Sequence, residues 1–109
     1  MSRDEGLEEL LRQELAGEPG LTEKAMFGGR CWLLRGNLLC GAREDGLLAR
    51  LGPGNDDWAL RTPGIARMLS AGRPMRGWVR AAPEAFGDDA LRRKLIDAAL
   101  AFTRGLPGK

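Results

Sequence analysis

Residues 30–51 read RCWLLRGNLLCGAREDGLLARL, three short apolar runs interrupted by Arg35 with Gly36 and by Glu44, Asp45 and Gly46. An X-Gly or Asp-Gly pair between apolar runs signals a hairpin, because both central positions of a type I′ turn need positive φ and Gly adopts it without steric cost. The runs at residues 30–34, 37–43 and 47–51 therefore read as a three-stranded antiparallel meander. With Arg35 and Gly36 as one loop and Asp45 and Gly46 as the other, Leu34 pairs with Asn37, Cys31 with Cys40, Glu44 with Leu47 and Ala42 with Ala49. Side chains alternate along a strand, so this register gives one face to Cys31, Leu33, Leu38, Cys40, Ala42, Ala49 and Leu51, an apolar set suited to a core. The other face carries Trp32, Leu34, Leu39, Leu48, Arg43 and Arg50. It is amphipathic, and a helix, a partner subunit, a ligand or solvent would cover it. Trp32, Leu39, Leu48, Arg43 and Arg50 form the candidate partner surface.

Upstream, Ser2 followed by Glu5 reads as a capping box, and Leu7, Leu10, Leu11 and Leu15 recur at helical spacing until Gly17, Pro19 and Gly20. Residues 22–26 read as a short further turn, ended by Gly28 and Gly29. Downstream, Gly52, Pro53 and Gly54 break the third strand, and Asn55 caps a short helix through Trp58 and Leu60 to Pro63. Residues 64–70 read as another helical turn or two, and residues 76–82 as a fourth strand around Trp78 and Val79. A last helix starts at Asp88 or Asp89. It places Leu91, Leu95, Ala98, Ala99 and Phe102 on one face, widened by Ile96 and Leu100, and ends at Gly105 and Pro107. The expected fold class is α+β: an antiparallel sheet, made of a three-stranded meander plus a later strand, with the N- and C-terminal helices packed on it.

A chain of 109 residues with 43% hydrophobic and 29% charged residues is expected to be one domain over residues 1–109 with its own core. No apolar run approaches the ~20 residues of a bilayer span, and the cytoplasm is the expected location. Cys31 and Cys40 form neither a redox pair nor a zinc set and read as reduced packing residues. The sequence has no His, which removes the usual general base and commonest metal ligand, and no G-x-G-x-x-G, Walker or G-x-S-x-G string occurs. Asp56 with Asp57 and Asp88 with Asp89 sit where helices begin and read as caps. No catalytic residue, cofactor or metal site is expected. The 14 Arg against 3 Lys suggest a GC-rich coding bias. Between Trp58 and Pro83, however, Arg61, Arg67, Arg73, Arg76 and Arg80 occur with no acid among them, a strip suited to phosphate or acidic partners.

Met26, Phe27, Gly28 and Gly29 ahead of the first strand, the turns at Gly36 and at Asp45 with Gly46, and Pro74, Met75, Arg76, Gly77 and Trp78 before the last helix share their order and spacing with a known family. The chain resembles the N-terminal domain of the TfoX/Sxy competence regulators over roughly residues 20–103. The resemblance implies an α+β domain with an antiparallel sheet, occurring in proteins tied to transcriptional control, and it supplies no catalytic residues. Regulators of that family carry a further C-terminal domain; here a stand-alone domain is the expectation. The functional expectation is a non-enzymatic interaction or regulatory module whose partner is a protein, a second copy of this chain included. Direct nucleic-acid binding through the Arg strip is the alternative. A ligand-binding or enzymatic role using Cys40 or a carboxylate is a third reading.

Overall fold

The computed structural model describes residues 4–26 and 28–109; Ser2 and Phe27 lie outside the described residues. The elements run α1 Glu5–Leu15, β1 Leu21–Met26, β2 Gly29–Leu34, β3 Asn37–Arg43, β4 Gly46–Arg50, α2 Asp57–Leu60, β5 Ile65–Ser70, β6 Arg73–Ala81, α3 Pro83–Phe86 and α4 Asp89–Arg104. The strands form one antiparallel sheet in the order β1-β2-β3-β4-β6-β5. The expected α+β architecture holds, with the meander at its centre.

Both long helices begin at an aspartate whose carboxylate satisfies a free amide of the first turn. Asp4 Oδ1 accepts from Leu7 N at 3.0 Å, and Asp88 Oδ1 accepts from Leu91 N at 3.0 Å. Asp4 therefore takes the cap expected of Ser2. Leu7, Leu11 and Leu15 of α1 and Leu95, Ile96, Ala99 and Leu100 of α4 are buried against one face of the sheet. Arg92 joins the helices: it is only 7% exposed, pairs with Glu14 of α1, and donates to Phe86 O and Asp89 Oδ1, each at 2.9 Å.

The register departs from expectation at two places, and the consequences spread through the sheet. Leu34 pairs with Asn37 as expected, and Arg35 and Gly36 take φ of 50° and 84°. A bulge at Leu39 then shifts β3 by one residue, so that Trp32 faces Cys40 and Cys31 faces Gly41. One slipped residue exchanges the two faces of a strand. Trp32, Leu34 and Leu39 lie in the core beneath the helices, with Trp32 and Leu39 at 1% and 0% exposure, alongside Cys40, Ala42, Ala49 and Leu51. Cys31, Leu33 and Leu38 move to the opposite face. Trp32 and Leu39 are thus core residues, and the cover expected of a helix or a partner subunit comes from the chain's own helices. Between β3 and β4, Arg43 pairs with Gly46, so Glu44 and Asp45 make the turn. Gly46 at φ 136° is reserved for the approach of β6, since a Cβ there would stand 2.2 Å from Ala81 O.

Two segments read as helical turns are strands. Residues 22–26 belong to edge strand β1, which pairs with β2 along its whole length, and residues 65–70 form β5 against β6. Glu, Lys, Ala and Met are good helix formers, but the preference is worth less than a kcal/mol per residue, and pairing with the open edge of β2 overrides it. Ala71 and Gly72, with φ of 51° and 78°, close the β5–β6 hairpin by the same turn geometry as Arg35 and Gly36.

That hairpin is not flat. Arg67 pairs with Val79 and Leu69 with Pro74, so Met68 alone stands against residues 75–78 of β6. Gly77 lies within this bulge at φ 82°, and its carbonyl accepts from Leu51 N at 2.7 Å and Gly52 N at 3.1 Å. A Cβ on Gly77 would fall 2.5 Å from Gly52 C and Pro53 N. The bulge bends the outer half of the hairpin over the face of the sheet opposite α1 and α4, so that residues 68–71 lie around one cavity with Cys31, Leu38, Gly41 and Leu48.

The bulged register puts the two thiols on opposite sides of the sheet, a geometry no disulfide spans without backbone movement. Thiol titration after mild oxidation of the folded protein is expected to find both cysteines free; an intramolecular bridge formed with the fold intact contradicts the register. Gly77→Ala is expected to cost about 2–4 kcal/mol in urea unfolding, from left-handed strain plus the clash with the β4 end. Stability within about 0.5 kcal/mol of wild type would contradict the close approach.

Candidate functional site

The bent hairpin encloses a chamber of about 330 Å³ on the helix-free face. Its floor is Cys31, Leu38, Gly41, Arg43 and Leu48 of the meander with Trp78 of β6, and its roof is Met68, Leu69, Ser70, Ala71 and Met75; Cys40 also borders it. None of these residues belongs to a helix. Strand alternation delivers the floor: Cys31 opposite Gly41 and Leu48 opposite both Gly41 and Arg80 share this face. Gly41 leaves room for the Cys31 sulfur, which lies 3.0 Å from where a Cβ would stand. Leu48, at 4% exposure, is buried on this face and stands outside the core cluster that the helices cover.

The charged groups at and beside the chamber are already engaged. Arg43 grips Asp45 through two hydrogen bonds, Nε to Oδ1 at 3.0 Å and Nη2 to Oδ2 at 2.6 Å, and Arg80 Nη1 donates to Asp45 O at 3.1 Å. The pairing with Arg43 holds the Asp45 carboxyl below its usual range and raises the guanidinium. Burial pushes the Cys31 thiol up, with Arg43 pulling weakly the other way, and burial raises Cys40 further. Both sulfurs are therefore protonated and poorly nucleophilic near neutral pH. Among the described residues, no three His, Cys, Asp or Glu side chains are grouped to hold a metal ion, and no helix is long and apolar enough to cross a membrane.

The remaining candidates are dispersed. Arg50 leaves the chamber and lies between Trp78 and Phe102, 5.8 and 5.5 Å from their ring centres. The Arg strip separates into four places. Arg67, facing the helix side opposite Val79, pairs with buried Asp56 at 3.6 Å, whereas Arg80 faces the other side and caps the Asp45 carbonyl. Arg61 ends α2 beside an open trough of about 820 Å³ that runs between Trp58 and Phe102. Only Arg73 and Arg76, exposed on the hairpin, are neighbours without a partner among the described residues. Leu69, at 56% exposure, is the exposed large hydrophobic residue among those described, and it stands on the same hairpin. The roof escaped the sequence reading because residues 64–70 were expected to be helical; Ala71 with Gly72 was the available turn signal.

Raised thiols make stability depend on pH with a definite sign. The unfolded chain loses both thiol protons above about pH 8.5 while the folded protein keeps them, so stability is full below that pH and falls as pH rises through the folded-state range. Urea unfolding between pH 7 and about 10 is expected to show this decline, and Cys31→Ala with Cys40→Ala is expected to flatten it. An equal decline in the double variant would contradict protonated, buried thiols.

The sequence motifs occupy the structurally demanding positions. Gly28, at φ 77°, turns β1 into β2; Met26 pairs with Gly29, where a Cβ would stand 2.1 Å from Ala42 O. Pro74, Met75, Arg76, Gly77 and Trp78 span the bulge that bends the hairpin, and Met75 and Trp78 line the chamber it creates. No curated protein and no solved structure matches the chain. The family model of the TfoX N-terminal domain matches residues 13–103, nearly the whole sequence and both sets of motifs, and the chain belongs to that family.

Proposed function

We propose that this domain is a non-enzymatic regulatory module that engages a protein partner through the outer half of the β5–β6 hairpin. The observation that carries this reading is the exposed Leu69 beside the two uncommitted guanidinium groups of Arg73 and Arg76, on a hairpin already bent and pinned by its bulge. Arg is enriched at protein interfaces and among their energetic anchors, and an exposed apolar side chain beside it on a preformed element offers area to bury. The protonated thiols and the Arg43 guanidinium locked to Asp45 support a role without catalysis. Likeness to competence regulators supports a place in transcriptional control, exercised through protein contact.

The number of uncommitted arginines favours the protein partner over nucleic acid. With Arg67 and Arg80 engaged inside the fold, Arg61, Arg73 and Arg76 remain, and about three phosphate contacts give a salt slope near −3, against the 6–10 contacts of a typical tight complex.

Tagged protein recovered from nuclease-treated extract of its host is expected to retain a stoichiometric protein partner. The combined variant Leu69→Ser, Arg73→Ala and Arg76→Ala is expected to lose it while melting like wild type, because all three residues are exposed. Retention of the same partner by the variant would overturn the assigned surface. Sub-micromolar affinity for DNA or RNA at physiological salt, with a slope steeper than about −3, would overturn the protein-partner reading in favour of nucleic acid.

A further inference from the structure

We propose that the chamber between the β5–β6 hairpin and the sheet is a binding site for a small, uncharged aromatic molecule of one to two rings. This site lies beneath the partner surface on the outside of the hairpin and shares Leu69 with it. Size sets the upper limit. A cavity of about 150 Å³ accommodates benzene, so the 330 Å³ found here is about twice that and suits two fused rings.

The walls set the chemical class. Leu38, Leu48, Met68, Met75, Trp78 and Cys31 present aliphatic carbon, three sulfur atoms and an indole. Thioether sulfur against an aromatic ring contributes about 0.3–1.5 kcal/mol per contact beyond burial, which favours an aromatic ligand over an aliphatic one of equal volume. Charge is excluded from both sides. Arg43 is the charged residue bordering the chamber and disfavours a cation, yet its guanidinium already makes two hydrogen bonds to Asp45, so a ligand carboxylate would have to approach that acid. Ser70 at the roof leaves one hydroxyl for a single ligand N–H or O–H group. The larger trough between α2 and α4 has no such roof, and its Trp58 ring is covered by Lys94 Nζ at 4.2 Å.

Methionine methyl groups give a site-specific readout, because Met68 and Met75 line the chamber and Met26 ends β1. Protein labelled with 13C at the methionine methyls is titrated with indole and 2-naphthol, and with 2-naphthoate as the anionic counterpart. Saturable shifts of the Met68 and Met75 methyls with Met26 unmoved are expected, at a Kd of about 10–500 µM for 2-naphthol and at least tenfold weaker for 2-naphthoate. Ser70→Trp, which fills the chamber from its roof, is expected to abolish the shifts. Should that bulk displace the roof, a second measurement stands on the unaltered sequence: nuclear Overhauser contacts from the 2-naphthol ring to the Met68 and Met75 methyls are expected. The proposal is overturned by shifts that fail to saturate up to the solubility limit, by equal shifts at Met26, by equal affinity for 2-naphthoate, or by the lack of Overhauser contacts to Met68 and Met75 at saturation.

Discussion

The Gly77 carbonyl, accepting from the amides of both Leu51 and Gly52, is the contact on which the functional half of this domain depends. It joins the end of β4 to the middle of β6 at a separation that leaves no room for a Cβ, and it requires a left-handed residue at that point. Only glycine satisfies both conditions without strain. With β6 held there, four of its residues must fit against Met68 alone, and the hairpin beyond cannot continue in the plane of the sheet. It turns over the helix-free face and roofs it. Arg50, stacked between Trp78 and Phe102, ties the same corner to the last turns of α4.

A second bulge, at Leu39, decides what each face is for. By setting Trp32 opposite Cys40 it sends the largest core side chain toward α1 and α4 and turns Cys31 and Leu38 the other way. A small sheet with helices on one side normally exposes polar residues on its other side. Here the residues sent there are apolar, and the bent hairpin is what shields them. The two bulges are therefore complementary: one places apolar side chains on the helix-free face, and the other supplies their cover.

The parts of this fold legible in the sequence were those written in local chemistry. Arg35 with Gly36 fixed a turn because the positive φ it needs is rare and glycine announces it, and Asp88 marked the start of α4 because a carboxylate before an amphipathic run caps free amides. The bulge at Leu39 left no such mark, since every residue in Leu38, Leu39 and Cys40 suits either face, and the face assignment of β2 and half of β3 was reversed as a result. Residues 21–26 and 65–70 became strands because of neighbours far away in sequence, which local propensity does not register. Of the candidate site, Leu48, Arg43, Met75 and Trp78 were singled out beforehand, but as members of separate groups. The hairpin that gathers three of them around Cys31, with Arg43 at the rim, depends on β5.

The arginines show why charge read along a chain differs from charge on a surface. Five of them in succession without an acid suggested a strip, yet Asp56 and the Asp45 carbonyl, both outside that stretch, engage two of the five. What remains on the hairpin is a pair beside one exposed leucine, a pattern suited to protein contact. All of this rests on the bulge being pinned to the β4 end. Native-state hydrogen exchange of the Leu51 and Gly52 amides tests it most directly: both are expected to exchange as slowly as the central strands, opening only with global unfolding. Exchange of these two amides at the rate of the exposed Gly54 would contradict the account.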